Sequence, residues 1–478
     1  MLQMKTRALC FLTLLLLLLP CALEAAPYRL NRTADSALAL YVDNLVSAAA
    51  DDSGTLHLVY TDASTGGHWQ IFYRNLEEGY WSIPANLSAQ VPEIADNRSP
   101  QIVFEPATRG LYVAWLGLSA TSTARSYKLF VGKVEPGTGQ NTIVATFSYG
   151  SSGFQPRIAT ASGKIFFLSE ERAAGNRTLF RMRVFLTSTG EWIEKVLQTT
   201  ATEGVAYPTL AASPAQAALT WVRTTSQGYD IMASVMPAAA QKWDEAKPVF
   251  RSPAAPGSLV AGANGQLISL IWTLRGGGRN SIFQQMVSHD GGGTWKGPRV
   301  LYSVGATATA SVVALTDRDI LVLLHHSEAQ GDFVRLKYSR DGGESWTPSA
   351  EIDAIDIGPG KDAVKAQGAS ILGRDTKTLV LAWEEWLNSG PVIAYKEAPL
   401  QGLSSAPRRF LLTARQQPAG RFPYSPQLWM AGKKVYITYG SKIRPQYSMS
   451  RIATNDIYVV EVPAPAAVRP RPAAKKQQ

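Results

Sequence analysis

Acids, cations and a tryptophan recur along this sequence at comparable points, where one apolar run ends or the next is about to begin. Asp62, Glu384, Glu385 and Tyr424 offer proton donors, proton acceptors and a phenolic nucleophile. Arg98, Arg157, Arg223 and Arg275 offer planar forks for carboxylates or hydroxyls, and Trp386 offers an aromatic face. The densest group is "WEEW", Trp383 to Trp386, two acids between two indoles, which suits stacking and hydrogen bonding to a sugar. Glu170, Glu171, Arg172, Glu328 and Arg444 stand at equivalent points. These are side chains for glycan recognition, or for hydrolysis by two carboxylates. Charges at loop ends are also simply solvated, so residue type alone does not select among them.

Other chemistries are poorly supplied. The chain has two cysteines, Cys10 and Cys21, both in its first 26 residues. Disulfides, thiolate metal sites and cysteine nucleophiles are therefore excluded from the rest. Only five histidines occur, and His325 and His326 are neighbours that strand alternation sends to opposite faces. No metal and no cofactor are expected. "RGGGRN" at Arg275 is glycine-rich, but it joins two strands and opens no helix, so it is no phosphate loop.

The elements that must position these residues follow a repeat. Trp192, Trp243, Trp295 and Trp346 lie 51, 52 and 51 residues apart, and Trp81 fits the same ladder two steps earlier. A second ladder runs through apolar runs ending at Tyr60, Trp115, Leu168, Trp221, Trp272, Leu324, Trp383 and Tyr439. Eight units at one period demand a repeat architecture. Each unit reads as four short strands. The first often follows a proline ("SPQIVF" from Ser99, "YPTLAA" from Tyr207, "SPQLWMA" from Ser425) and the second is the most apolar ("LISLIW", "TLVLAW"). Four antiparallel strands repeated radially describe a propeller blade. The eighth unit stops at its third strand, "DIYVVEV", and the segment from Tyr28 to about Val42 is free to supply the missing outer strand.

Two units carry one octet in full between their third and fourth strands: "SHDGGGTW" (Ser288, Asp290, Gly292, Trp295) and "SRDGGESW" (Ser339, Asp341, Gly343, Trp346). Asp and Ser can bond turn amides, and Gly supplies backbone angles that other residues resist. With these octets the sequence resembles the Asp-box (BNR-repeat) β-propellers of the sialidase/neuraminidase superfamily, over nearly all of the chain after residue 26. The resemblance implies that the octets are structural and sit on the face opposite an active site. It also implies a glycan as partner, and for catalytic members an Arg triad, a Tyr nucleophile paired with Glu, and an Asp acid/base. The family's early Arg stands in an R-I-P motif, whereas this sequence has "YRLN" at Tyr28 and "PRIA" at Pro156.

Lys5 and Arg7, the apolar run Leu9 to Leu19 and the small residues Ala22 to Ala26 describe a secretory signal peptide. The run is half of what a membrane span needs. Pro20 before Cys21 argues against a lipoprotein signal. The formal charge is +10, but much of the excess lies in the leader and in Arg469, Arg471, Lys475 and Lys476, so no basic stripe for nucleic acid remains. With 45% hydrophobic and 18% charged residues the chain is built to fold.

The expectation is an all-β protein: a signal peptide at 1–26, one β-propeller at 27–463 and a disordered Pro/Ala/Lys/Arg tail at 464–478. The propeller should have eight four-stranded antiparallel blades, with seven as the alternative, and be closed by an N-terminal strand. Its setting is the periplasm or the exterior. Its role is glycan recognition or glycoside hydrolysis; the alternative is a non-catalytic binding or scaffold propeller of the cell envelope, with a protein partner.

Overall fold

The structure, a computed structural model, describes residues 28–30, 46–65, 68–92, 94–119, 127–149, 155–172, 178–198, 203–275, 280–305, 308–314, 316–328, 331–346, 355–356, 363–374, 377–387, 390–399, 402–403, 406–411, 421–443 and 455–463. The expected signal peptide and tail lie outside them. The described residues form eight antiparallel sheets in chain order, so the chain is an eight-bladed β-propeller. Blades 1 to 8 begin at Val46, Ile94, Arg157, Gly204, Pro256, Ala308, Ala363 and Arg421. The first strands of successive blades are neighbours from blade 1 to blade 6 and from blade 7 to blade 8, the first strand of blade 7 meets the second and third strands of blade 6, and the first strand of blade 8 returns to that of blade 1. Leu87–Gln90 forms a 3-10 turn, and among the described residues no helix is long and apolar enough to cross a membrane.

The ring closes as the missing strand requires. Tyr28–Arg29 pairs with the third strand of blade 8, Asn455–Val462, placing Tyr28 opposite Val459 and Arg29 opposite Tyr458. Blade 8 therefore takes its outer strand from the start of the chain.

Second strands are mainly apolar in their first halves because each is covered on both faces by a neighbouring blade. In Leu267–Arg275 all but the last residue are buried. Alternation divides such a strand between two cores. In blade 7, Leu379, Leu381 and Trp383 join residues of blade 6, while Val380 and Ala382 join residues of blade 8. This parity fixes which cleft each polar residue further along the strand must enter.

One detail departs from the sequence reading. Pro100, Pro208 and Pro426 do not open the first strands; those begin earlier, as Ile94–Glu105, Gly204–Ser213 and Arg421–Ala431. Each proline sits at a bulge, where the register skips from Arg98 to Gln101, Ala206 to Thr209 and Tyr424 to Gln427. A bulge leaves a residue out of the ladder, so a missing N–H costs nothing there. The residue before each proline, Ser99, Tyr207 or Ser425, has φ of 50°.

Candidate functional site

Antiparallel order puts the loops after second strands, and the crossings to first strands, at one end of the ring. We call that end the rim; turns between third and fourth strands lie at the other.

Glu384, Glu385 and Trp386 stand inside the second strand of blade 7, Thr378–Leu387, and not in a rim loop as the sequence reading has it. Both carboxyl groups are buried. Parity with Leu381 and Trp383 turns Glu385 toward blade 6, where Arg408 donates to it. Lys396 shares that side. Burial and then the Arg408 cation hold its ammonium below the usual range, with Glu385 pulling the other way. Parity with Val380 and Ala382 turns Glu384 and Trp386 toward blade 8. There the half-buried Trp386 donates from Nε1 to Glu384 Oε1 at 2.6 Å. The two adjacent acids therefore enter different clefts.

Two of the four arginines face the cleft between blades 3 and 4. Arg223 follows Trp221 on the face that shares a core with blade 3. Its Nη2 donates to Asp230 Oδ2 at 2.8 Å, Arg251 Nε donates to the other oxygen at 2.9 Å, and Glu203 lies 3.6 Å away. Burial would raise Asp230, but the bonds from Arg251 and Arg223 hold it below the ordinary range. Arg157 pairs with Leu168, whose face also belongs to the blade 3–4 core. Its Nη1 donates to Thr209 Oγ1 at 3.3 Å. Arg157 is exposed to water, yet desolvation lowers its pKa. The guanidinium stays cationic throughout. Glu170, two residues beyond Leu168 and on its face, is buried; burial and then the Glu170 charge push Tyr149 upward.

The other expected residues lie apart. Asp62 is buried and, by parity with Leu58 and Tyr60, faces blade 8. Arg98 pairs with Asp96 on the side facing blade 3. Arg275 is exposed at the rim end of its strand in blade 5. The backbone of Tyr424 is opposite Gly440 in blade 8. The side chains of Tyr424, Arg172 and Glu328, and all of Arg444, fall outside the described residues. His326 is buried, while burial and then His326 lower the half-buried His325. Among the described residues no three His, Cys, Asp or Glu gather as a metal site. Asp230, Arg251, Arg408 and Thr209 escaped the sequence reading because only strand pairing brings them to the rim residues.

The octets occupy the opposite end. Ser288 Oγ donates to Asp290 Oδ1 at 2.8 Å and accepts from Gly292 N at 2.7 Å; Asp290 also accepts from Thr294 N at 2.9 Å and Thr294 Oγ1 at 2.7 Å. Those bonds, Thr294 foremost, hold Asp290 at about 2. Ser339, Asp341, Gly343 and Ser345 repeat the arrangement. There burial opposes the shift, but the bonds from Ser345 and Ser339 prevail and Asp341 also lies at about 2. Gly292 and Gly343 have φ of 91° and 89°, and a Cβ on Gly292 would meet Val235 at 2.7 Å. The half-buried Trp346 donates to Gln285 of blade 5 at 2.8 Å, and Trp295 packs on the blade 4–5 core. Glu344 of one octet accepts from Arg299 at 2.7 Å, with His289 of the other octet 3.5 Å away.

Fold and rim together define a β-propeller with cations, acids and an anchored indole at one end. No protein-family model matches the chain, and no curated protein matches it significantly. Solved structures match in fold. A lectin, BP39L from Burkholderia pseudomallei, is 11% identical with a TM-score of 0.46, covering 78% of this chain and 99% of the lectin. The NanB sialidase of Streptococcus pneumoniae is 11% identical with a TM-score of 0.34, covering 91% of this chain and 70% of the sialidase. A Hadza microbial sialidase, Hz136, is 11% identical with a TM-score of 0.35, covering 59% of this chain; this chain spans 62% of that sialidase's length.

Proposed function

We propose that this chain is an exported propeller of the Asp-box, sialidase-like kind that binds a glycan at its rim. The observation that carries the reading is Trp386, a half-buried indole at the rim end of blade 7, fixed by its 2.6 Å bond to the buried Glu384. An aromatic ring held rigid by a buried carboxylate stacks on the apolar face of a sugar at little cost in conformational entropy. The exposed Arg157 supplies a fixed fork for further sugar oxygens. Binding is favoured over hydrolysis because Glu384 and Glu385 face different clefts and Asp62 faces a third, whereas two carboxylates must flank one glycosidic bond. A propeller that recognises glycans outside the cytoplasm, with residues 1–26 as its export signal, accounts for these features together.

The test is a glycan array probed with residues 27–463, followed by titration of each hit. Trp386→Ala should weaken binding at least about tenfold, as loss of a stacked aromatic does, with the melting transition kept. Release of a sugar from any hit, read by mass spectrometry, would restore the hydrolase reading.

A further inference from the structure

We propose that Tyr207 is the stacking platform of a second sugar subsite, in blade 4, shared with Arg157 and Thr209 and taking a pyranose ring. The inference rests on the glycan reading and deepens it. Tyr207 has φ of 50°, in the left-handed region where a bulky residue is an outlier. Ala206 pairs with Val222 and Thr209 with Thr220, so Tyr207 and Pro208 together oppose Trp221 alone and Tyr207 stands out of the ladder. The bulge is not what requires a tyrosine. Blades 2 and 8 build it with Ser99 and Ser425 at the same φ before Pro100 and Pro426. Burial does not require one either, since the residue is 43% exposed while the Pro208 and Thr209 that follow it are buried. A strained backbone presenting a large aromatic to water, in the strand next to the axis, is what a ligand contact looks like before the ligand arrives.

The neighbours specify the ligand. Thr209, two residues on, accepts from Arg157 at 3.3 Å, so a guanidinium of the adjacent blade is tied to the same strand two residues from Tyr207. A flat apolar face next to a planar fork of donors matches a pyranose, whose C–H face stacks on the phenol and whose vicinal hydroxyls accept from the fork.

The probes are methyl pyranosides of glucose, galactose, mannose and fucose and their oligomers, on the array and then in calorimetric titration against residues 27–463. Tyr207→Ser, the residue of the sister blades, should fold with an unchanged far-ultraviolet spectrum and lose binding tenfold or more. Tyr207→Phe should keep affinity within threefold. Trp386→Ala marks the other site: its loss with Tyr207→Ser unaffected overturns this proposal and leaves the glycan reading standing. Binding lost in Tyr207→Ser and kept in Trp386→Ala supports the subsite and moves the reading's anchor to blade 4. A wild-type chain that binds none of these sugars overturns the subsite and the pyranose reading together.

Discussion

At the scale of single residues, blade 1 hides a chain of polar groups whose protonation the fold must control. His57 is buried, with Nδ1 2.8 Å from the Tyr73 hydroxyl and Nε2 3.3 Å from Asp51 Oδ2. The phenol donates to Nδ1 while Nε2–H faces the carboxylate, which is the neutral ring. Burial lowers the His57 pKa below its usual 6.5, against the opposing pull of Asp51 and Glu77, and burial likewise lowers His325. A histidine depressed in the fold gives stability that is whole above about pH 6.5 and is lost as pH falls through the folded value. Urea midpoints should therefore drop between pH 7.5 and 5.5, and His57→Gln should flatten part of that slope. Equal slopes for wild type and His57→Gln would mean that the ring titrates as it does unfolded. A lone buried histidine carries no such message in sequence, because its partners Asp51 and Tyr73 are assigned to it only by pairing of the first three strands.

At the scale of elements, the third-to-fourth turn was readable and the clefts were not. Asp, Ser and Gly in "SRDGGESW" declare which backbone groups need partners, and the loop bonds itself as those residues allow. Asp341→Ala removes a charged acceptor from Ser345 and Ser339 and should cost about 1–2 kcal/mol. Because Asp341 lies at about 2 in the fold against 3.8 unperturbed, its contribution is complete above pH 3.8 and fades toward pH 2. Between pH 4 and 2 the wild-type melting temperature should thus converge on that of Asp341→Ala; parallel curves would deny the carboxylate this role. A cleft, by contrast, joins residues some fifty positions apart, and the facing of each depends on the parity of its strand. Shifting "WEEW" by one residue would exchange the clefts of Glu384 and Glu385. The prolines misled for a related reason: "SP" and "YP" mark irregular backbone, but a bulge within a strand and the start of one are alike in sequence.

At the scale of the whole molecule, the seam that closes the ring was legible too, since a unit lacking its fourth strand must borrow one. The loan is short. Two residues pair, Leu30 N donates to Ile457 O at 2.8 Å, and Leu30 enters the blade 8–1 core. Around that strand Tyr28 stacks on Trp81 with centroids 5.4 Å apart, and Arg29 lies 2.7 Å from the fully buried Asp456. At the far end Gly54 of blade 1 meets Gly432 of blade 8, so close that a Cβ on Gly54 would stand 3.3 Å from the Gly432 backbone. Taking away residues 28–30 deprives a buried carboxylate of its cation, a change worth roughly 3–5 kcal/mol on its own, and opens the edge of Asn455–Val462. A chain begun at residue 31 should therefore unfold at lower urea than one begun at 27, and should associate through the bared edge in light scattering. A synthetic peptide of residues 27–36 added in trans should restore both the midpoint and the monomer, because the seam is held by backbone pairing and side chains of that strand and not by continuity of the chain. Equal stability of the two chains would mean that blade 8 holds with three strands and that the first residues decorate the ring rather than close it.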